Sequence, residues 1–350
     1  MNAPIYFEDG FDQFHKFIAK NGQQKLFFIV DENTHEFCLP ILLAEIQGVE
    51  DIEIIEIPAG ESYKSIEIAI QVWLSLGEFN ADRQAIIVNC GGGVITDFGG
   101  FIAATYKRGI RFINVPTSLL AMVDASVGAK TGINLEHFKN QIGSFYSPEM
   151  VLIFPEFLKT LPKKEILSGF AEMIKHALIQ DKNHWNELSK ITEIGGETLA
   201  EFIPKSIEIK KSVVTIDPKE MGLRKILNAG HTLGHAIESF YLMTDRKITH
   251  GEAVMAGLIL ESHISVHKNQ LSLDEFHEIM SFSERFFPKL ELPDSEQILP
   301  ILLYDKKNLG TKINANLLNK IGDCNPISST ILTEEIQNAI DFYKVNYNEF

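Results

Sequence analysis

The chain has little of what would tie it to a membrane, an oxidising compartment or a nucleic acid. Its three cysteines, Cys38, Cys90 and Cys324, are scattered and show no C-x-x-C spacing. A disulfide framework or a thiolate zinc site is therefore not expected, and a reduced cytoplasm fits. No stretch holds enough uninterrupted apolar residues to span a bilayer, and the opening MNAPIYFEDG lacks the basic start and apolar run of a signal peptide. Basic side chains are in deficit, 32 against 47 acidic, for a net charge of -15. That balance argues against a nucleic-acid surface. Internal repeats and low-complexity tracts are also missing. The expectation is a soluble, cytoplasmic protein.

What is present is ordinary globular composition, 45% hydrophobic and 23% charged over 350 residues, enough for roughly two domains. The charge sign reverses locally. Between Thr105 and Gly143, the bases Lys107, Arg108, Arg111, Lys130 and Lys139 outnumber Asp124 and Glu136. A positive stretch in a negative chain points to a small anionic ligand, although a solvated helix face reads the same way.

KLFFIVDEN, DIEIIEIPAG, QAIIVNCGGG and RFINVPTSLL read as buried strands, with helical periodicity between them as in SIEIAIQVWLSL. Strand and helix in alternation predict an α/β domain with a parallel sheet covered on both faces. From Phe157 the character changes. FLKTLPKKEILSGFAEMIKHALIQ and the segments after it are helical, and only KINANLLNKIGDC returns strand-like runs. The predicted division is an α/β domain over 1–156 and a mostly α-helical domain over 157–350.

Two places carry chemistry. In NAGHTLGHAIE, His231 and His235 stand four residues apart, one helical turn, and His250 follows in THGEAV. Neutral imidazole is a common zinc ligand, so the group is a candidate metal site that still needs a carboxylate. Gly230 and Gly234 read as keeping that face open. Histidines packed in apolar helices give the same pattern. The second place is Cys90-Gly91-Gly92-Gly93-Val94-Ile95-Thr96-Asp97, a glycine turn between a strand and a helix that suits a pyrophosphate. Asp97 there reads as a helix cap. Asp31 and Glu61 follow earlier strands, where carboxylates can take ribose hydroxyls, and Lys64 can neutralise phosphate or pair with Glu61.

Taken in order, GGGVITDFGGFIAATYKRGIRFINVPTSLLAMVDASVGAKTGIN, KNQIGSFY, SGFAEMIKHALI, GLRKILNAGHTLGHAIE and HGEAV closely resemble the 3-dehydroquinate synthase family of sugar phosphate cyclases. The likeness runs from AGESYK to Asp305-Lys306-Lys307. It implies an N-terminal α/β NAD domain, a helical C-terminal domain, and a cytoplasmic homodimer of the shikimate pathway that uses NAD and one divalent metal, zinc or cobalt. The implied reaction turns 3-deoxy-D-arabino-heptulosonate 7-phosphate into 3-dehydroquinate and phosphate. It runs by transient NAD oxidation, β-elimination of phosphate, re-reduction, ring opening and intramolecular aldol closure.

Carried over residue by residue, the resemblance implies Glu172, His231 and His250 as metal ligands. It leaves His235 as a polar catalytic group and His176 as a packing residue. Lys130, Asn140, Lys175, Lys210, Arg224, Asn228 and Lys306 are the implied substrate contacts. Asp124 stands beside the substrate hydroxyls, Arg108 reaches in from this or a partner subunit, and Glu220 is a candidate acid or base. The implied NAD contacts are Asp31, Asn33, Glu61, Lys64, Gly92, Gly93, Val94, Asp97, Thr117, Ser118, Lys139, Phe157 and Thr160. Three positions depart from the family pattern, all with small side chains: Thr96 and Ala129 for glycine, and Ser118 for threonine. The competing readings are another cyclase, of the 2-deoxy-scyllo-inosose or valiolone type, and a metal-dependent NAD polyol dehydrogenase.

Overall fold

The structure is a computed structural model that describes residues 3–22, 24–49, 51–136, 138–304 and 312–347. The chain divides into two compact units, Met1–Pro162 and Lys163–Phe350.

The first unit is built on a six-stranded parallel sheet. Its strands are β1 (Ile5–Tyr6), β2 (Leu26–Asp31), β3 (Ile52–Ile57), β4 (Ile86–Gly91), β5 (Arg111–Pro116) and β8 (Met150–Leu152), in the order β1-β8-β5-β4-β2-β3. The four strands read from the sequence are all present. The two short ones, β1 and β8, carry too few residues to show a pattern. Between the strands lie α1 (Gly10–Asn21), α2 (Glu32–Phe37), α3 (Leu39–Glu45), α4 (Ile66–Glu78) and α5 (Gly93–Thr105).

Phe27, Ile29 and Ile87 pack with Val72 and Leu76 of α4 and Phe98 and Ile102 of α5. Their alternates Leu26, Phe28, Val30 and Val88 are equally buried, so the central strands are covered on both faces, as a parallel sheet requires. Each such phenylalanine contributes roughly 2–3 kcal/mol by burial. A separate antiparallel hairpin, β6 (Lys130–Leu135) with β7 (Phe138–Phe145), packs on α5. Phe157, where the sequence placed the domain change, lies in the first unit with its ring edge-on to Phe154.

The second unit is helical: α6 (Lys163–Gln180), α7 (Lys182–Leu188), α8 (Gly196–Ala200), α9 (Ile203–Ile216), α10 (His231–Leu242), α11 (His250–His267), α12 (Leu273–Glu284), α13 (Ser295–Tyr304) and α14 (Thr333–Asn346). The strand-like run near the end forms two small antiparallel pairs, β9 (Ile313–Ala315) with β12 (Ser329–Ile331), and β10 (Leu318–Lys320) with β11 (Asp323–Cys324). α11 is the centre of the unit, with every residue from Ala253 to Ser265 buried. No helix among the described residues is long and apolar enough to cross a membrane.

Two histidines give this unit an acid sensitivity. Burial pushes His184 and His263 each down to about 4, whereas an unfolded histidine titrates near 6.5. Between these values the unfolded chain binds the extra protons, so the stabilisation is complete above pH 6.5 and is lost as pH falls toward 4. Replacing His263 with glutamine should therefore flatten the pH dependence of unfolding between pH 6 and 5 by about 1.4 kcal/mol per pH unit. Urea titrations at stepped pH measure this, and an unchanged slope would refute it.

Candidate functional site

In the second unit, three elements bring titratable groups to one point. Glu172 is fully buried within α6, while His231 and His250 are the first residues of α10 and α11. One carboxylate oxygen of Glu172, Oε1, lies 3.2 Å from Nε2 of His231 and 3.2 Å from Nε2 of His250. Its other oxygen pairs with the ammonium of Lys175. The remaining ring nitrogens are engaged elsewhere: His231 Nδ1 lies 3.1 Å from the Ala229 carbonyl oxygen, and His250 Nδ1 lies 3.4 Å from a carboxylate oxygen of Glu238. Such outer contacts orient an imidazole and leave Nε2 available as a ligand.

Two of the separations in this set suit a divalent ion. Ligand atoms on a tetrahedral ion with bonds of roughly 2.0–2.1 Å stand about 3.3 Å apart, close to the two 3.2 Å separations seen here. His235 is a neighbour, its ring centroid 4.9 Å from that of His231 and 5.8 Å from that of His250. Nitrogens of all three histidines lie within 4.8 Å of one another.

Two of the three groups carry the charge a cation needs, whereas His250 is held protonated and has to release that proton for its Nε2 to become a ligand. Burial works against ionisation of Glu172, but Lys175 and His231 outweigh it and hold the carboxyl well below its ordinary value. Burial keeps His231 below its ordinary value against the pull of Glu172. At His250 burial again opposes the charge, yet Glu238 and Glu172 prevail and raise the imidazole to about 10.

Glycines make the convergence possible. A Cβ on Gly257 of α11 would stand 2.0 Å from the Gly230 carbonyl oxygen, one on Gly234 of α10 2.8 Å from that of Ala253, and one on Gly251 2.3 Å from the Ser168 Cα. The missing side chains thus let α10, α11 and α6 touch backbone to backbone. This corrects the expectation that Gly230 and Gly234 hold a face open: Gly234 lies against α11, and Gly230, at φ +75°, makes the turn into α10. His176 is buried and shares a 2.7 Å hydrogen bond with the Ser206 hydroxyl.

α9 and the turn Leu223–Asn228 pack on each other and on α6. They bring Lys210 and Arg224, both buried, into the same part of the unit. Arg224 donates through Nη1 to the Pro218 carbonyl at 2.7 Å, and its backbone N–H to Asp217 at 3.1 Å. The Asn228 amide donates to Glu220 Oε1 at 2.7 Å, and Glu220 holds a left-handed backbone at φ 61°. Lys306 lies outside the described residues.

In the first unit, β4 ends at Gly91 and α5 begins at Gly93, and its N-cap, Gly92, has no side chain with which to cap the first turn. A Cβ on Gly92 would stand 3.3 Å from the Ser118 hydroxyl, and one on Gly93 3.3 Å from the Ala125 Cβ. The N–H groups of Gly93 and Val94 open the helix there, an arrangement suited to an anion. Thr117, next to Ser118, donates its backbone N–H to the Gly91 carbonyl at 3.0 Å.

Asp97 is not the cap that the sequence suggested, because it sits past the first turn, where its carboxylate meets the buried Lys64 ammonium at 2.7 Å. Lys64 also donates to Asn140 Oδ1 at 2.6 Å. Of the two roles read for Lys64, phosphate neutraliser or partner of Glu61, the second is replaced by these contacts. Glu61 instead accepts from the Asn134 amide at 2.8 Å, with Lys139 at 4.0 Å. Asp31 caps α2 through Thr34 at 2.9 Å, and Asn33 is exposed on that helix. Phe157 is buried, and the Thr160 hydroxyl donates to its carbonyl at 3.4 Å. Asp124 lies in the π-helical turn Ala121–Ala125, and Lys130 opens β6, exposed. Arg108 stands between Lys107 and Gly109, all three with positive φ.

Glu238, Glu261 and Asn134 were missed in the sequence. Glu238 stood in plain view, seven residues after His231 on the same helical face. Glu261 was flagged only by its isolation in the apolar run of α11, and nothing flagged Asn134.

A parallel α/β unit followed by a helical unit is a fold shared with solved structures of known enzymes. A 2-epi-5-epi-valiolone synthase from Streptomyces hygroscopicus, solved with NAD+ and Zn2+ bound, superposes with a TM-score of 0.86 at 24% identity, over 98% of this chain and 97% of its own. Sequence comparison is more specific. Residues 54–168 match the family described as 3-dehydroquinate synthase N-terminal, and residues 169–308 match its C-terminal counterpart. The 3-dehydroquinate synthase of Parabacteroides distasonis is 40% identical over 95% of this chain and 94% of its own, and that of Leptospira interrogans is 38% identical over 92% and 90%. The chain belongs to the 3-dehydroquinate synthase family, and the activity that goes with this membership is 3-dehydroquinate synthase activity.

Proposed function

We propose that the chain closes 3-deoxy-D-arabino-heptulosonate 7-phosphate to 3-dehydroquinate with release of phosphate. NAD would be held by the first unit and a divalent metal, zinc or cobalt, by Glu172, His231 and His250. The observation that carries this reading is the single Glu172 oxygen set 3.2 Å from the Nε2 atoms of both imidazoles. When bound, the metal supplies a Lewis acid for the substrate hydroxyls and NAD a reversible hydride acceptor.

The chain's own groups do the rest. Gly92, Gly93 and Val94 offer a helix start with a glycine N-cap to the pyrophosphate, with Lys64, braced by Asp97, as the neighbouring charge. Asp31, Asn33, Glu61, Lys139, Thr117, Ser118, Phe157 and Thr160 are assigned to the remainder of the cofactor. Arg224 presents a planar fork suited to the substrate carboxylate, and Lys175 and Lys210 act as point charges. Lys130, Asn140, Asn228, Lys306, Asp124 and Arg108 complete the assigned substrate contacts. In the elimination the proton leaves the carbon beside the transient ketone as the C–O bond to phosphate breaks. His235, Glu220 and the departing phosphate are its candidate acceptors. Three buried free cysteines and the absence of a membrane-crossing helix among the described residues support a cytoplasmic setting. The homodimer is carried over from the family resemblance.

Identity near 40% to 3-dehydroquinate synthases, against 24% to the valiolone synthase, favours this substrate over a neutral-headed sugar phosphate. With the heptulosonate phosphate, zinc and substoichiometric NAD, purified protein should release one phosphate per turnover without accumulating NADH. Stoichiometric NADH would indicate a dehydrogenase. Phosphate release from glucose 6-phosphate, but not from the heptulosonate, would indicate another cyclase.

A further inference from the structure

We propose that Glu261 is a positioning residue for the metal centre, acting from α11 on the first turn of α10 to fix the His231 imidazole. The inference rests on the metal reading above. Glu261 is buried, and its two carboxylate oxygens accept from backbone N–H groups on either side of His231: Gly230 at 2.7 Å and Leu233 at 3.1 Å.

A helix start leaves such N–H groups without partners inside the helix, and a side chain at the N-cap residue commonly takes one of them. Here the N-cap is Gly230, which has no side chain to offer. Its left-handed φ of +75° and the closeness of Leu258, whose Cγ would lie 2.5 Å from a Cβ there, both require glycine. The cap therefore comes from across the helix pair.

Its effect on the metal ligand is direct. His231 lies between the two gripped amides, and its Nδ1 is 3.1 Å from the Ala229 carbonyl oxygen, so the ring direction is tied to the same turn. α11 carries His250 as its first residue and Glu261 three turns further on. One helix thus supplies one imidazole and sets the bearing of the other. Gly257, a turn before Glu261, presses that contact to backbone distance.

The test uses full-length protein stripped of metal, with Zn2+ or Co2+ affinity read by chelator competition and folding checked by urea unfolding in excess chelator. Glu261→Ala should weaken metal binding tenfold or more. Glu261→Gln, which keeps one acceptor oxygen, should fall between it and the parent, and the Co2+ visible spectrum should shift in both. In a His231→Ala background, titrated at metal concentrations high enough to load the remaining ligands, the Glu261 substitutions should change metal affinity less than twofold, because the group they position is gone. A cap serving stability alone would lower the urea midpoint and leave metal affinity and spectrum unmoved. That result, or an equal loss of affinity with and without His231, overturns the proposal. Should Glu261→Ala not fold, Glu261→Gln decides by the same criteria. Parent protein that binds no divalent ion would overturn the metal centre itself, and is thereby told apart from a failure of positioning alone.

Discussion

Replacing His250 with alanine should strip the divalent metal and lower turnover by about a thousandfold or more, since the Lewis acid then has one ligand fewer to hold it. The fold should survive. The side chain is about a quarter exposed at 24%, and the start of α11 is secured independently by Thr249 and Glu252, which cap it reciprocally. Glu172→Ala should be far more damaging to stability, by about 3–5 kcal/mol, because it takes the carboxylate away from the buried Lys175 ammonium. The contrast separates a ligand from a structural ion pair. Metal content by atomic emission, phosphate release and a urea midpoint in chelator measure it, and a His250→Ala protein with a full complement of metal would remove His250 from the ligand set.

Gly257→Ala should destabilise the second unit by about 3 kcal/mol or more and empty the metal centre at the same time. The added methyl would fall 2.0 Å from the Gly230 oxygen and 2.7 Å from the Gly234 nitrogen. Both are backbone atoms, so no side chain can swing aside. Relief requires α10 and α11 to separate, which carries His231 away from Glu172. Gly195→Ala is the comparison, with nothing within 4 Å of its Cβ, and should cost no more than the roughly 1 kcal/mol of placing alanine at a helix N-cap. Equal urea midpoints for the two variants would disprove the close-packing account.

The parallel sheet was legible because β2, β4 and β5 are mostly apolar, as two covered faces demand, and the asparagines inside β4 and β5, Asn89 and Asn114, bond each other at 2.9 Å. The hairpin of β6 and β7 was not, since glycines and polar residues break any alternation in KTGINL and FKNQIGSF. At the candidate metal centre, the three imidazoles announced themselves by spacing. Glu172 came only through family likeness, because no local rule links residues so distant in the chain. Lys64 shows the limit of reading neighbours as partners: Glu61 is close in sequence, but folding delivers Asp97 and Asn140 to the ammonium. Gly230 and Gly234 show another. A missing side chain looks the same in sequence whether it makes room for a ligand or for a second helix.

The enclosure of α11 ties the candidate metal centre to the strength of the whole helical unit. A helix without a solvent-facing side cannot fray locally, so its amides should exchange their hydrogens only when the unit opens globally. Damage anywhere in that unit, however remote from the imidazoles, would then register first as faster loss of the ion.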